Sequence, residues 1–221
     1  MVVFAINFKA YAFGNNALEI AKIIDELAKQ YQQEEVIIAV PLTEIKTIVK
    51  EVSYIKVYAQ TADAVEPGAH TGKMPIEGLV QAGARGVVVN HAENQIKLNE
   101  IDFIINKAQE FVLETLVCAA TPLQAKALAS FNPDYIAYEP PELIGTGKSV
   151  SELYPQSIKD ASKKVKVISP TTKFLVGAGI TSYRDVDESL YLGAQGVFIA
   201  SAIMKSKNIK QKVEEFFSFH Y

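Results

Sequence analysis

Several features that would direct a chain to a particular environment are missing from these 221 residues. The single cysteine, Cys118, excludes an intrachain disulfide. Its apolar flanks favour a buried small hydrophobic residue over a nucleophile, for which no base lies nearby in sequence. No apolar run approaches the roughly 18 residues of a membrane span, and residues 1–9 lack the charged start and cleavage site of a signal peptide. We expect a soluble, cytoplasmic protein that does not bind membranes.

An excess of basic residues is also missing. The net charge is −3, which argues against nucleic acid as a partner because binding to a phosphate backbone needs clustered Lys and Arg. Any anionic ligand must therefore be held locally. The Cys, His, Asp and Glu residues show no metal-ligand spacing, and neither GxxxxGK[ST] nor GxSxG occurs. We therefore expect no metal and no nucleotide cofactor.

The apolar residues that are present form eight short runs rich in β-branched side chains, and amphipathic stretches separate them. This alternation is typical of repeated strand–helix units and predicts a parallel sheet. Segment 17–30 has apolar Ile20, Ile24 and Leu27 on one face and charged residues on the other, which predicts a helix. The predicted strands are 2–6, 36–40, 57–60, 86–90, 113–118, 135–139, 174–177 and 196–200.

The predicted strands are nearly continuous apolar runs, so both of their faces should be buried. Eight such strands predict an α/β fold that closes into a (β/α)₈ barrel, with eight parallel strands and surrounding helices. A doubly wound open sheet is the alternative, but no GxGxxG follows the first strand. No linker or charge block divides the chain, which predicts one domain over residues 1–221.

In such a barrel, residues just after each strand meet at one mouth, however far apart they lie in sequence. Glu139 ends the sixth strand, and the two prolines after it stiffen the exit towards a glycine-containing loop. The predicted strand would thus present a base beneath a hinged flap, although a surface glutamate on an ordinary loop is the alternative. The strand-end residues are Asn7 to Lys9, Asn90 to Glu93, Glu139, Gly177 to Gly179, and Ala200 with Ser201.

These residue types suit proton transfer on a phosphorylated carbonyl compound. Lys9 follows an apolar strand, and the alternative is a lysine whose stem packs while its ammonium reaches water. His91 precedes a turn into a helix, where amide dipoles would favour an uncharged ring, and the alternative is a core histidine. Gly177 and Gly179 would let the backbone approach a ligand closely, or they could mark a tight bend. Ser201 and the amides after it could donate to an anion.

Five motifs in this order and spacing resemble the triosephosphate isomerase family along the whole chain. The length lies below the roughly 250 residues of a typical TIM barrel, and it resembles the family's short, archaeal-type branch. The motifs are NFKAY from Asn7, NHAEN from Asn90, YEPPELIGTGKSVS from Tyr138, GAGI from Gly177 and GVFIASAIMK from Gly196.

The resemblance implies an aldose–ketose isomerase that interconverts dihydroxyacetone phosphate and D-glyceraldehyde 3-phosphate through an enediol, in glycolysis and gluconeogenesis. Glu139 would be the base, neutral His91 the electrophile, and Lys9 the cation that offsets the dianionic substrate. Asn7 would help to place the reacting oxygens, and Glu93 would support Lys9. No cofactor is implied.

The resemblance places the substrate phosphate on four backbone amides, so that an acidic protein could bind an anion without a basic patch. The flap, segment 140–148, would close over the substrate and protect the enediol from loss of phosphate. The four amides are those of Ile144, Gly179, Ala200 and Ser201.

The sequence departs from the family pattern at Phe8, Ala92, the Pro-Pro-Glu flap opening and Ala202. Ala92 removes a hydroxyl that could bond the base, which puts the resting position of Glu139 in doubt. Ala202 occupies a frequent glycine position and could change the fit around the phosphate.

Segment 61–75 is longer than most strand–helix connections and shows no periodicity. It resembles the family's interdigitating loop, which implies a homodimer at least, with Thr71 near Lys9 of the neighbouring subunit. His70 would then be an interface residue. A homotetramer is also compatible with the resemblance.

Two rival functions remain open at this point. Another phosphosugar isomerase or an aldolase would need a Schiff-base lysine or a metal, and only Lys9 lies at a strand end. A barrel that merely binds phosphate or acts as a scaffold would not need both His91 and Glu139.

Overall fold

The computed structural model describes residues 2–33, 35–143 and 149–218. Eight parallel strands follow one another around a closed barrel, and β1 pairs with both β2 and β8. The predicted barrel is therefore confirmed, and the doubly wound open sheet is wrong. Each predicted strand lies within one residue of the observed one at both ends. The strands are β1 (Val3–Asn7), β2 (Glu35–Val40), β3 (Lys56–Ala59), β4 (Gly86–Val89), β5 (Glu114–Ala119), β6 (Tyr135–Tyr138), β7 (Lys173–Gly177) and β8 (Gly196–Ile199).

Helices surround the barrel and connect successive strands. Those that follow β1 to β4 are α1 (Gly14–Gln30), α2 (Ile45–Ile48), α3 (Ile76–Ala82) and α4 (Leu98–Glu110). Those that follow β5 to β8 are α5 (Pro122–Ala129), α6 (Val150–Leu153), α7 (Pro155–Ile168), α8 (Tyr183–Tyr191), α9 (Ser201–Met204) and α10 (Ile209–Phe217), and a 3₁₀ turn spans Pro141–Leu143. Within the described ranges, none of these helices could cross a membrane.

Helix α1 begins three residues before the predicted segment 17–30. The reason is a contact that the local sequence does not contain: a carboxylate oxygen of Glu44 accepts a hydrogen bond of 2.9 Å from the backbone N–H of Gly14. A carboxylate suits this end of a helix because the first amide groups lack intrahelical partners and carry partial positive charge.

Two apolar layers hold the barrel together because successive strand residues point to opposite faces. Phe4 and Ile6 of β1 pack outward among the helices, whereas Val3 and Ala5 point into the barrel. Cys118 belongs to the inner layer and is buried, as predicted. The inner layer consists of Val3, Ala5, Ile37, Ala39, Tyr58, Val88, Leu116, Cys118, Tyr135, Ala137, Leu175 and Phe198.

A charged group that we call the basal cluster closes the end of the barrel opposite the mouth. Its members are Glu35, Lys56, Tyr58, Glu114, Tyr135 and Lys173, all of which except Tyr58 are the first residues of their strands.

Lys56 Nζ lies 3.2 Å from Glu35 and 2.8 Å from Glu114, Lys173 pairs with Glu35, and the two tyrosine hydroxyls donate to the two glutamates. Burial raises the pKa of Glu35, but its bonds from Lys173, Tyr135 and Lys56 outweigh burial, so the pKa lies below the ordinary value.

Candidate active site

The ends of β1, β4, β6, β7 and β8 meet around one cavity at the barrel mouth. The predicted catalytic and substrate-binding residues that the structure describes all line this cavity, whereas Gly177 does not, and Ile144 lies outside the described residues. The lining consists of Asn7, Lys9, Tyr11, His91, Glu93, Glu139, Ala178, Gly179, Ile180, Phe198, Ile199, Ala200 and Ser201. Among the residues that the structure describes, no group of three or more His, Cys, Asp or Glu could hold a metal ion.

Glu139 follows β6 directly, and its backbone N–H donates to the carbonyl of Ala119 at 2.9 Å. This bond fixes the backbone from which the side chain extends. The side chain folds against Gly177, where an added Cβ would lie 2.5 Å from its Cγ and 2.6 Å from Oε1. Gly177 is therefore needed to make room for the carboxylate, and the close approach to a ligand that we expected there stays a prediction.

Burial raises the pKa of the Glu139 carboxyl to about 7. A hydrogen bond with the Cys118 thiol and the charge of Lys9 oppose this rise without cancelling it. Oε2 has no hydrogen-bond partner within the described residues. Near pH 7 the group is thus divided between its acid form and a poorly solvated carboxylate of unusually high basicity.

His91 is held as a neutral ring. The backbone N–H of Glu93 donates to its Nδ1 at 3.1 Å, so Nδ1 is the unprotonated nitrogen and Nε2 carries the proton. Burial, together with the charge of Lys9, lowers the pKa of His91 to about 4, although Glu93 acts in the opposite direction. The amide that favours the uncharged ring is the backbone N–H of Glu93 and not a group at a helix start, because α4 begins only at Leu98.

The two groups face one another across the cavity floor. Nε2 of His91 lies 3.6 Å from Oε2 of Glu139, and neither atom has a hydrogen-bond partner in the described part of the chain. A buried polar atom without a hydrogen-bond partner destabilises the folded state. Two such atoms next to each other are typical of a site where a bound ligand completes the hydrogen bonds. Although Ala92 cannot bond the carboxylate, Glu139 is turned towards His91.

Lys9 takes an unusual backbone conformation, with φ of 45° in the left-handed region. Its N–H bonds to Asn7 Oδ1 at 2.9 Å, and its Nζ lies 2.7 Å from Glu93 Oε1. Its side chain is only 15% exposed, which agrees with an ammonium in the cavity wall and not with one that extends into water. Phe8 points away from the site into the core.

At the opposite side of the cavity, the connections after β7 and β8 come together. Ala178 and Gly179 both have positive φ, of 68° and 75°, and α9 begins at Ser201 directly after Ala200. The first N–H groups of a helix have no intrahelical acceptors. Among the described residues, this side of the cavity therefore offers backbone donors without a basic side chain.

Some residues near the site were not predicted, and three of them have polar groups close to it. Gln60 donates its side-chain amide to the carbonyl of Lys9, Tyr11 lines the cavity, and Cys118 contacts Glu139. Gln60 ends predicted strand 57–60, so the strand-end rule applied to all eight strands would have found it. No signal in the sequence indicates that Cys118 and Glu139 touch.

The closed parallel barrel, with a basic carboxylate beside a neutral imidazole at its mouth, defines a TIM-barrel enzyme that uses acid–base chemistry. Comparison with known proteins narrows this class. The family model described as triosephosphate isomerase matches residues 2–216. The chain belongs to the triosephosphate isomerase family.

Curated archaeal relatives match nearly the full chain. The triosephosphate isomerase of Caldivirga maquilingensis is 42% identical over 215 residues, which cover 96% of this chain and 95% of the relative. That of Methanocaldococcus jannaschii is 40% identical over 220 residues, or 99% and 100%. A crystal structure of triosephosphate isomerase from Bartonella henselae shares the fold, with a TM-score of 0.75 at 19% identity over 97% of this chain and 98% of that one.

The activity follows from the family and its full-length relatives: the enzyme interconverts dihydroxyacetone phosphate and D-glyceraldehyde 3-phosphate, as glycolysis requires. The match to the archaeal relatives agrees with the predicted short branch. The alternatives of another phosphosugar barrel and of a non-catalytic binding barrel are therefore wrong.

Proposed function

We propose that Glu139, His91 and Lys9 carry out this isomerisation and that Asn7 orients the reacting oxygens. The observation that supports the proposal most strongly is the 3.6 Å separation between two otherwise unpaired atoms, Nε2 of His91 and Oε2 of Glu139. A three-carbon substrate that lies over both atoms would meet the base at its carbon atoms and the hydrogen-bond donor at its oxygen atoms.

Glu139 acts as the base that moves a proton between adjacent carbons of the substrate. Proton transfer is most effective when the pKa of the base lies near the working pH. The pKa of about 7 satisfies this condition, and burial is its main cause. The same carboxyl can therefore accept the proton from one carbon and return it to the next.

His91 acts as the neutral electrophile. With Nδ1 occupied by the Glu93 amide, Nε2–H points into the cavity and can polarise the substrate carbonyl. A pKa of about 4 keeps the ring uncharged at neutral pH, so it donates a hydrogen bond without competing with Glu139 for the substrate proton.

The chain as a whole is acidic, with a net charge of −3. Lys9 supplies a local positive charge at the site. Its ammonium offsets the dianionic substrate and stabilises the enediolate as charge develops. Glu93 pairs with the Lys9 ammonium at 2.7 Å and restrains it. The Glu93 side chain is 56% exposed, so this pairing does not bury a second charge.

The substrate phosphate rests on amides of Gly179, Ala200 and Ser201, and on that of Ile144, which lies outside the described residues. Oriented N–H groups bind anions without formal charge. Segment 140–148, whose residues 144–148 also lie outside them, closes over the substrate and excludes water.

We also propose that the chain is a single-domain, cytoplasmic protein and that it self-associates through segment 61–75. Residues 66–73 are all exposed, and Asp63 braces the segment by accepting from the Met74 amide and pairing with Lys73. Thr71 and His70 lie in this exposed part. Light scattering coupled to size-exclusion chromatography tests it: a mass of one chain would contradict the proposal, and two or four chains would support it.

The roles of the side chains are tested by replacing Glu139 with glutamine, which keeps the shape and removes the base. Turnover of glyceraldehyde 3-phosphate should fall by about three orders of magnitude or more, while calorimetry should still detect binding of 2-phosphoglycolate. Glu152→Gln, on an exposed side chain of α6, is the matched control and should keep full activity. Near-normal turnover in Glu139→Gln would refute the assignment.

A further inference from the structure

Gln60 lies immediately after β3 and extends its side chain behind the Lys9 backbone. Its Nε2 lies 2.9 Å from the carbonyl oxygen of Lys9, 3.2 Å from Asn7 Oδ1 and 3.2 Å from the carbonyl oxygen of Ala39. A side-chain amide has two N–H hydrogens, so three acceptors leave both of them engaged. One half-buried side chain thus connects the carboxyl ends of β1, β2 and β3.

The Lys9 backbone requires such a restraint. Residues with long side chains avoid positive φ, and one stays there only where the surrounding structure fixes it. Lys9 has φ of 45°, its N–H bonds to Asn7 Oδ1, and its carbonyl accepts from Gln60. The amide of Gln60 is therefore one of the contacts that keep Lys9 in this conformation.

The same contacts set the orientation of the Asn7 amide. Its Oδ1 accepts from both the Lys9 N–H and Gln60 Nε2. The NH₂ group of Asn7 must then be the end that remains for the cavity, because a flipped amide would place donor against donor. Asn7 would consequently meet a substrate oxygen as a donor.

We propose that Gln60 is a positioning residue for the isomerisation, which acts through Lys9 and Asn7 without touching the substrate. The inference rests on the proposed roles of Lys9 and Asn7. Without the Gln60 amide, the Lys9 backbone can relax and the Asn7 amide can turn over. The ammonium would then lose its place relative to the substrate, and a displacement of about 1 Å can cost about 100-fold in rate.

The test replaces Gln60 with methionine, which has nearly the same length and no donor. We expect kcat/KM to fall by about 10- to 100-fold, with a clear rise in KM because Lys9 also contacts bound substrate. Gln33→Met is the matched control, since Gln33 is half-buried and donates to the carbonyl of Phe217 at 2.8 Å. Its kinetic constants should stay at the level of the unmodified protein.

A second background separates positioning from general loss of structure. In Lys9→Met, adding Gln60→Met should cost only a few-fold more, which is the part that acts through Asn7, measured as kcat/KM or as the dissociation constant of 2-phosphoglycolate. The full 10- to 100-fold loss in that background would overturn the inference. If Gln60→Met fails to fold, Gln60→Asn, which keeps the amide but shortens its reach, takes its place in the same cycle.

The two proposals fail differently. If Lys9→Met turns over substrate normally, the proposed role of Lys9 is wrong. If Lys9→Met is impaired while Gln60→Met and Gln60→Asn behave like the unmodified protein, only the role of Gln60 is wrong.

Discussion

Replacing Glu139 with glutamine should stabilise the protein at alkaline pH, although it lowers turnover by about three orders of magnitude or more. The carboxyl has an ordinary pKa of 4.5 and a folded pKa of about 7, and burial is the main cause of the rise. A raised carboxyl pKa favours the folded state while the group is protonated, and this contribution is lost as the pH rises through 7. Above that pH, folding must bury a charged carboxylate, whereas glutamine buries none.

The size of the effect follows from the two pKa values. Their difference of about 2.5 corresponds to about 3 kcal/mol at pH 9, since one pKa unit is 1.36 kcal/mol. At pH 5 the Glu139 carboxyl is protonated in the folded protein and partly ionised in the unfolded chain. The corresponding free-energy difference at this pH is about 1 kcal/mol. The advantage of Glu139→Gln should therefore grow by about 2 kcal/mol between pH 5 and pH 9.

Urea unfolding followed by circular dichroism at pH 5, 7 and 9 measures this difference. Protein concentration must be the same throughout, because self-association would add a concentration-dependent term. Glu152→Gln is the control and should stay within about 0.5 kcal/mol of the unmodified protein at each pH. If the free-energy difference for Glu139→Gln does not change with pH, or if the variant is less stable at pH 9, the reasoning about buried charge is wrong.

Three further predictions concern the surroundings of the base and the far end of the barrel. Gly177→Ala should displace the Glu139 carboxyl and lower kcat by about 100-fold with the helix content unchanged, as steady-state kinetics and circular dichroism would show; unaltered kcat would contradict the packing argument. Cys118→Ala removes a hydrogen bond that lowers the pKa of Glu139, so the acidic limb of the kcat/KM profile should move to higher pH. Glu35→Gln should cost about 2 kcal/mol of unfolding free energy at pH 7 by leaving Lys173 without its partner. Because the folded pKa of Glu35 is lowered, its contribution exists above its ordinary pKa of 4.5 and is lost as the pH falls through the lower folded value, so the difference from the unmodified protein should shrink in acid.

The strands and the mouth of the barrel could be predicted because they depend on local pattern and a general rule. Continuous apolar runs identify buried parallel strands, and the barrel geometry then brings Lys9, His91 and Glu139 to one rim. The family motifs extended this to individual roles. None of these steps required knowledge of which side chains touch.

Features that arise from contacts between distant residues could not be predicted in this way. The start of α1 depends on Glu44, thirty positions from Gly14, and the shape of the Gly177 site depends on Glu139. The basal cluster joins strands whose first residues look like ordinary charged positions at strand starts. In each case the sequence contains the residue types, but only the fold determines the pairing.

The two ends of the barrel differ in how fully their polar groups are bonded. At the mouth, Glu139 and His91 each keep an atom without a partner among the described residues. At the far end, the four charged members of the basal cluster are all paired. We therefore expect substitutions in the basal cluster to change the heat tolerance of the barrel more than its turnover, so that the two properties could be optimised in separate libraries.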